Sequence, residues 1–485
     1  MSREDIIYLA LLLLCIPLGH LVKSLNSASL KQFLTFSAGL TVALLTAGFE
    51  GIWHSALTIL GNFLLVKVVG LRYCTLASFL FVFGYLFFFR TCTWYGFPTP
   101  PSHCNAIQLL VTIRVIGLVF EYRQSHLNPK KDDDESYSPV VREVRLWESP
   151  INPNLYDYYS YAYCYCGLMT GPYYTYKTYK DMLNQDGTKI ATFWPALRKL
   201  RSLPMYAVPY LILQSYFPAK HIGTYEYLNH EWGLAYRLLY LVPCFTWFRY
   251  RFYIGWMLAE AMCITLGLGA YPFESEPKPG IGPTKPYEIN DGKEIEKKQN
   301  GDTHSFGTVQ NIDIFDVEFS SQVRYAMKAW NKTVQWWLAN YVHRQVPFKK
   351  HRMAIVLFIS AFWHGVYPGY YVTFMSVPLM IFSDSQFEKL VKPYLSNSRQ
   401  LYYFEWVRWF CLYRTYEYLS VGFIMLKLDV VWTVFKANYF IGHIIMVIVS
   451  ILPFIVPRRR PTVNKDAGGN EANLKDSGTV NSKTD

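Results

Sequence analysis

Apolar runs that match the thickness of a lipid bilayer recur along almost the whole of this chain, and they constrain the fold before any motif is considered. A helix needs about 20 apolar residues to cross the hydrocarbon core. Only helices and closed barrels satisfy their own backbone there. Candidate segments are Ile6–Val22, Leu30–Phe49, Ser55–Val69, Tyr73–Phe89, Ala106–Phe120, Met205–Phe217, Trp232–Phe248, Phe252–Tyr271, Met353–Pro368, Gly369–Phe382, Arg414–Leu426 and Phe435–Pro457. Soluble domains carry about 25% charged residues. This chain carries 17%, against 52% hydrophobic and 18% aromatic. The reading is an all-α polytopic membrane protein of about ten to twelve membrane helices, some re-entrant, given the length needed to span.

Between the runs lie polar segments. Glu121–Pro153 contains Lys130-Lys131-Asp132-Asp133-Asp134-Glu135 and reads as a solvated loop, and Pro272–Asn311 reads as a second. Tyr156–Thr170 is aromatic and reads as partly interfacial. The membrane-embedded domain is placed over residues 1–457, and the tail from Arg458 to Asp485 is polar enough to be disordered. Arg458-Arg459-Arg460 puts that tail on the cytosolic side. Ile6–Val22 lacks a basic flank and a small-residue cleavage site, which favours a retained helix over a signal peptide. The net charge is +12, but the basic residues sit in loops between apolar runs. Anionic headgroups or a phosphate-bearing substrate fit that pattern better than nucleic acid. The nine cysteines include no Cys-x-x-Cys pair and lie mostly in apolar segments, as small buried hydrophobes.

Two polar residues stand out on apolar helices. His364 closes the run Met353–Trp363, where an ionisable side chain is costly and marks either a helix-to-helix hydrogen bond or a reacting centre. Asn331 lies within Phe315–Arg344, read as one amphipathic helix. Phe319, Val323, Met327, Trp330, Val334, Trp337 and Tyr341 recur there at steps of three and four. Asn331-Lys332-Thr333 is a glycosylation sequon, but a Trp-rich helix is a poor acceptor. A histidine and an asparagine on successive membrane helices can converge, one as general base and the other as an amide that stabilises an oxyanion. No Gly-x-Ser-x-Gly motif, metal-ligand spacing or Gly-rich phosphate loop occurs. The basic cluster of Arg344, Lys349, Lys350 and Arg352 serves membrane anchoring, a mouth for an anionic substrate, or both.

Trp330-Asn331 followed by Trp336-Trp337-Leu338, then Trp363-His364-Gly365 with Gly369-Tyr370, resembles the membrane-bound O-acyltransferase family. The resemblance runs from Met1 to about Val456. Val323–Leu338 and Gly167–Tyr174 look like its lysophospholipid branch, and Val323–Leu338 together with the N-terminal hydrophobic pattern looks closest to the lysophosphatidylinositol acyltransferases. The Phe-Tyr-x-Asp-Trp-Trp-Asn string of the sterol and diacylglycerol branch is missing, since Met327-Lys328-Ala329-Trp330 precedes Asn331. The resemblance implies a bundle of membrane helices around a central cavity in the endoplasmic reticulum. It implies transfer of a polyunsaturated acyl chain, such as arachidonoyl, from acyl-CoA to the free sn-2 hydroxyl of lysophosphatidylinositol. It implies catalytic roles for His364 and Asn331, substrate contacts from Trp330, Trp337 and Trp363, and acyl-CoA as a co-substrate without a bound cofactor. Lys349, Lys350 and Arg352 are the candidates for a CoA mouth. The alternatives are another lysophospholipid acceptor (choline, ethanolamine or serine), a protein acceptor, or an inactive lipid transporter.

Overall fold

The computed structural model describes residues 3–127, 147, 149–287 and 302–456. The tail over 458–485, the charged run 130–135 and the middle of the second loop lie outside these residues. The described residues are mostly helical. Its first half runs α1 (Arg3–Lys23), α2 (Ala28–Val68), α3 (Cys74–Thr91), α4 (Ser102–His126), α5 (Leu155–Ala162), α6 (Tyr176–Asn184), α7 (Phe193–Leu200), α8 (Leu203–Tyr216), α9 (Tyr225–Leu228) and α10 (Gly233–Leu266). Its second half runs α11 (Ile314–Phe319), α12 (Val323–Ala329), α13 (Lys332–Leu338), α14 (Arg352–His364), α15 (Pro368–Val391), α16 (Ser398–Met425), α17 (Leu428–Ala437) and α18 (Ile441–Ile455). One two-residue antiparallel pairing, Tyr271 with Ser305 and Pro272 with His304, closes the base of the second loop.

Among the described residues four helices are long and apolar enough to cross a membrane: Ile6–Lys23, Ala28–Val68, Cys74–Tyr95 and His103–His126. The bent pair α17 and α18, at 69°, adds a fifth if it forms one span. The count of about ten to twelve expected from apolar run length is not established. Leu30–Phe49 and Ser55–Val69 are two helical arms, grouped as α2, that meet at a break at Gly48, whose φ of +67° suits a residue without Cβ. Trp232–Phe248 and Phe252–Tyr271 join as α10, which passes through Arg249 because that side chain has a carboxylate partner.

Within the aromatic stretch at Tyr156–Thr170, Tyr156 is exposed and residues 160–169 are deeply buried. Tyr161, Tyr163, Tyr165, Tyr173 and Tyr174 all lie in the largest core cluster, with residues of α1–α4, α10 and α13. Much of this stretch is irregular, so its backbone carbonyls lack helical partners. Arg114 of α4 supplies them. Its guanidinium donates to the carbonyl oxygens of Tyr161 (3.3 Å), Ala162 (3.0 Å), Cys164 (3.1 Å) and Cys166. Other buried charges do the same work. Glu121 accepts from the backbone N–H groups of Tyr176 (2.7 Å) and Lys177 (2.9 Å). Glu260 accepts from Asn311 (2.8 Å) and Ile312 (3.2 Å), and Arg237 donates to Leu228 and Ala437 carbonyls.

Removing one such partner strands several backbone groups at once, each costing about 1–3 kcal/mol. Arg114→Ala should therefore lower the thermal midpoint of the detergent-solubilised protein sharply or abolish its recovery as a single species by size exclusion. A wild-type midpoint would show that Arg114 does not hold this stretch.

Candidate active site

Asn331 owes its position to a break. The expected continuous helix over Phe315–Arg344 is four pieces: α11, α12, α13 and a π-helical turn over Ala339–His343. At the break Trp330 is extended and Asn331 is left-handed, with φ 47° and ψ 50°. Asparagine tolerates this region better than most side chains. The segment before α11 clips the break in place. Lys332 donates its N–H to the Asn311 carbonyl (2.7 Å), and the Asp313 N–H donates to Ala329 (2.9 Å). The Thr333 hydroxyl donates to Asn311 Oδ1 (2.6 Å). Gln335 bridges the gap itself, its amide donating to the carbonyls of Met327 and Trp330. The apolar stripe is divided accordingly. Val323, Val334, Trp337 and Tyr341 are buried, but Phe319 is 56% exposed. Steps of three and four persist on both sides of the break, so periodicity does not reveal it.

His364 is the last residue of α14, and the helix stops there, short of the expected Pro368. Gly365 is extended, and a Cβ on it would lie 2.4 Å from the Tyr370 ring. Beyond it α15 and α16 cross closely at Gly369 and Gly422. The imidazole is enclosed by the rings of Phe374 (5.3 Å), Phe423 (5.1 Å) and Tyr370 (5.9 Å). Among the described residues no group hydrogen-bonds to it.

His364 and Asn331 line the same cavity, of about 570 Å³. Its walls are Phe245, Phe248, Phe252 and Trp256 of α10, Met327 and Trp330, Val334 and Leu338 of α13, Val356 of α14, Phe374 of α15 and Phe423 of α16. Asn331 Oδ1 is buried there without a hydrogen-bond partner. Such an atom costs about 1–3 kcal/mol. At the far end Arg249 pairs with Glu318 (3.2 Å), which also accepts from Tyr253 and Tyr413 hydroxyls (2.6 and 3.0 Å). Arg249 stacks over Tyr413, whereas His364 packs on Phe423, ten residues further along α16. At about 1.5 Å per residue, roughly 15 Å separates the ion pair from the imidazole.

Of the other expected site residues, only Trp330 lines the cavity, packed on Trp256 (4.8 Å). Trp337 is buried with its indole N–H on the Ile113 carbonyl (2.9 Å), and Trp363 with its own on Leu109 (3.1 Å). Both are tied to α4 and are not part of the cavity wall. Lys349 and Lys350 are exposed on a turn before α14, and Arg352 donates to the Val346 carbonyl (2.8 Å). None of the three reaches the cavity, but His343, which does line it, is exposed six residues before Lys349. Gln335 and Arg249 are lining residues that sequence reasoning passed over. Arg249, a basic residue between two apolar runs, carried a usable signal; Gln335 carried none.

The family model for the membrane-bound O-acyltransferases matches residues 73–424. The chain belongs to the membrane-bound O-acyltransferase family. It is 37% identical over 452 residues to membrane-bound acylglycerophosphatidylinositol O-acyltransferase mboat7 of Danio rerio, covering 92% of this chain and 93% of that one. It is 34% identical to the Homo sapiens protein of the same name, over 91% of this chain and 92% of that one. It is 32% identical to the Drosophila melanogaster protein frj, also so described, over 95% and 94%. The matched region contains the broken helix, α14 and the cavity between them.

Gln335 bridges the turn that carries Asn331, and misplacing a reacting group by about 1 Å can cost 10²-fold in rate. Gln335→Leu should therefore reduce acyl transfer by one to two orders of magnitude, roughly within that range, while the protein still elutes as a folded species. Unchanged turnover per folded molecule would show that Asn331 holds its place without Gln335.

Proposed function

We propose that the protein transfers an acyl chain from acyl-CoA to the free hydroxyl of a lysophospholipid inside this cavity, with lysophosphatidylinositol as acceptor. The carrying observation is that His364 and Asn331 line one largely apolar cavity and that, among the described residues, neither side chain has a hydrogen-bond partner. The names of the relatives support the acceptor, since each is described as an acylglycerophosphatidylinositol O-acyltransferase.

In this reading His364 takes the proton from the glycerol hydroxyl as its oxygen attacks the thioester carbonyl. The Asn331 amide N–H donates to the oxyanion of the tetrahedral intermediate. The intermediate collapses with loss of the CoA thiolate, and the imidazolium returns its proton to the sulfur. A thioester is already activated, so no covalent enzyme intermediate is needed. A general base contributes roughly 10²–10⁴-fold, and holding two reactants in line adds more. The aromatic wall from Phe423 to Tyr413 suits an acyl chain, and a polyunsaturated one such as arachidonoyl belongs to this reading. Both lipid chains enter from the bilayer. The CoA phosphates enter near His343, where Lys349, Lys350 and Arg352 form the basic rim. The endoplasmic reticulum, the site of such lipid remodelling, is the proposed location.

His364→Ala should abolish transfer to every lysophospholipid tested, with the protein still in membranes, and Asn331→Ala should lower kcat by roughly 10²–10³-fold. Normal turnover in the histidine variant would remove it from the chemistry. A panel of lysophospholipids and acyl-CoA donors, with products weighed by mass spectrometry, should give lysophosphatidylinositol the highest kcat/KM. A preference for choline, ethanolamine or serine headgroups would redirect the acceptor. Lys349→Glu with Lys350→Glu should raise KM for acyl-CoA several-fold and leave KM for the lysolipid unchanged. Equal KM values for acyl-CoA would place the mouth elsewhere.

A further inference from the structure

The last turn of a helix leaves four carbonyl groups without intrahelical partners. In α14 those are the carbonyls of residues 361–364, at the end that carries His364. Ala361 is satisfied by the Gly365 N–H (3.0 Å). The next two are taken by one side chain from elsewhere. Arg90, at the end of α3, donates through Nη1 to the Phe362 carbonyl and through Nη2 to the Trp363 carbonyl. Its Nε donates to Asn105 Oδ1 on α4 (3.3 Å), so all three arms of the guanidinium are engaged. The surrounding contacts hold the same two residues. The Phe362 ring packs on Phe83 (5.9 Å) and Phe87 (6.2 Å) of α3, and the Trp363 indole is bonded to the Leu109 carbonyl of α4.

We infer that Arg90 is a positioning residue for acyl transfer, acting through His364 by fixing the backbone from which the imidazole projects. The inference rests on the catalytic reading of His364 given above. Arg90 does not line the cavity and so does not itself contact a substrate there. A planar fork matches two adjacent carbonyl oxygens in a way a single ammonium cannot, and a cation at a helix C-terminus is favoured by the helix dipole. The imidazole has no hydrogen bond of its own to hold it among the described residues. Its placement depends on ring contacts and on the chain end that Arg90 clamps. The α3–α4 pair, otherwise remote from the chemistry, thereby becomes the rigid base of the reacting group.

The test compares Arg90→Lys and Arg90→Gln with His364→Ala in purified full-length protein, normalised to folded material. Arg90→Lys keeps the buried charge and loses the two-carbonyl bridge, and Arg90→Gln keeps one donor group without the charge. Both should lower kcat about 10–10²-fold, the cost of a small misplacement, with KM for acyl-CoA and lysolipid within about twofold of wild type. Four outcomes decide the matter. A fall in kcat alone, with both KM values kept and His364→Ala inactive, supports the inference. An inactive His364→Ala beside Arg90 variants of wild-type kcat overturns it while leaving the catalytic reading intact. Raised KM with kcat preserved also overturns it, since Arg90 would then act on substrate binding. An active His364→Ala overturns the catalytic reading first.

Discussion

Backbone that leaves regular helix inside an apolar interior must find hydrogen bonds from somewhere other than water, and the architecture of this protein is organised around meeting that demand. Unpaired peptide groups at membrane depth cost several kcal/mol each. Here long charged side chains reach from intact helices to the broken segments. Arg114 takes four carbonyls of the 161–166 stretch, Glu121 takes the N–H groups at the start of α6, and Glu260 takes those of residues 311 and 312. Arg90 takes the last turn of α14. Arg114, Glu121 and Glu260 are removed from water and Arg90 is half-buried, and each is repeatedly bonded to backbone, which is the condition under which burial is tolerable.

The same devices create the site. Asn331 faces the cavity because α12 and α13 do not run on into one another, and Asn311, Thr333 and Gln335 hold the gap open. Glu260 anchors residues 311 and 312, so the carbonyl that Lys332 uses is itself fixed by a buried carboxylate. His364 faces the cavity from a chain end clamped to α3 and α4. The rest of the cavity wall is mainly aromatic and aliphatic, with Gln335, His343, Ser360, Thr373 and Ser420 among it, and Arg249 of the Arg249–Glu318 pair lines it too. Such a wall suits a long acyl chain, and His364 and Asn331 place two polar groups on it.

Much of this was legible in the chain. The apolar runs identified a helical membrane protein, and His364 and Asn331 announced themselves as polar interruptions in apolar helices. Where helices end was not legible, for a local reason. A single left-handed residue leaves the spacing of Val323, Met327, Val334 and Trp337 looking continuous, so α12 and α13 read as one. The buried charges were passed over for a non-local reason. Arg114 is one cation in an apolar window, and its need arises from carbonyls 47 to 52 residues later. Likewise Arg90 serves carbonyls 272 and 273 residues away. Trp337 and Trp363 match family motifs, yet their indoles are bonded to backbone of α4, which no spacing could indicate.

The central claim is that acyl transfer takes place in the cavity between the broken helix and α14. The most direct measurement is a structure of the full-length protein bound to an acyl-CoA ketone analogue, in which a methylene replaces the thioester sulfur. The account predicts the carbonyl oxygen within hydrogen-bond reach of the Asn331 amide, with the imidazole of His364 beside the carbonyl carbon and the acyl chain along the wall toward Tyr413. An analogue bound with its carbonyl away from both side chains would contradict it.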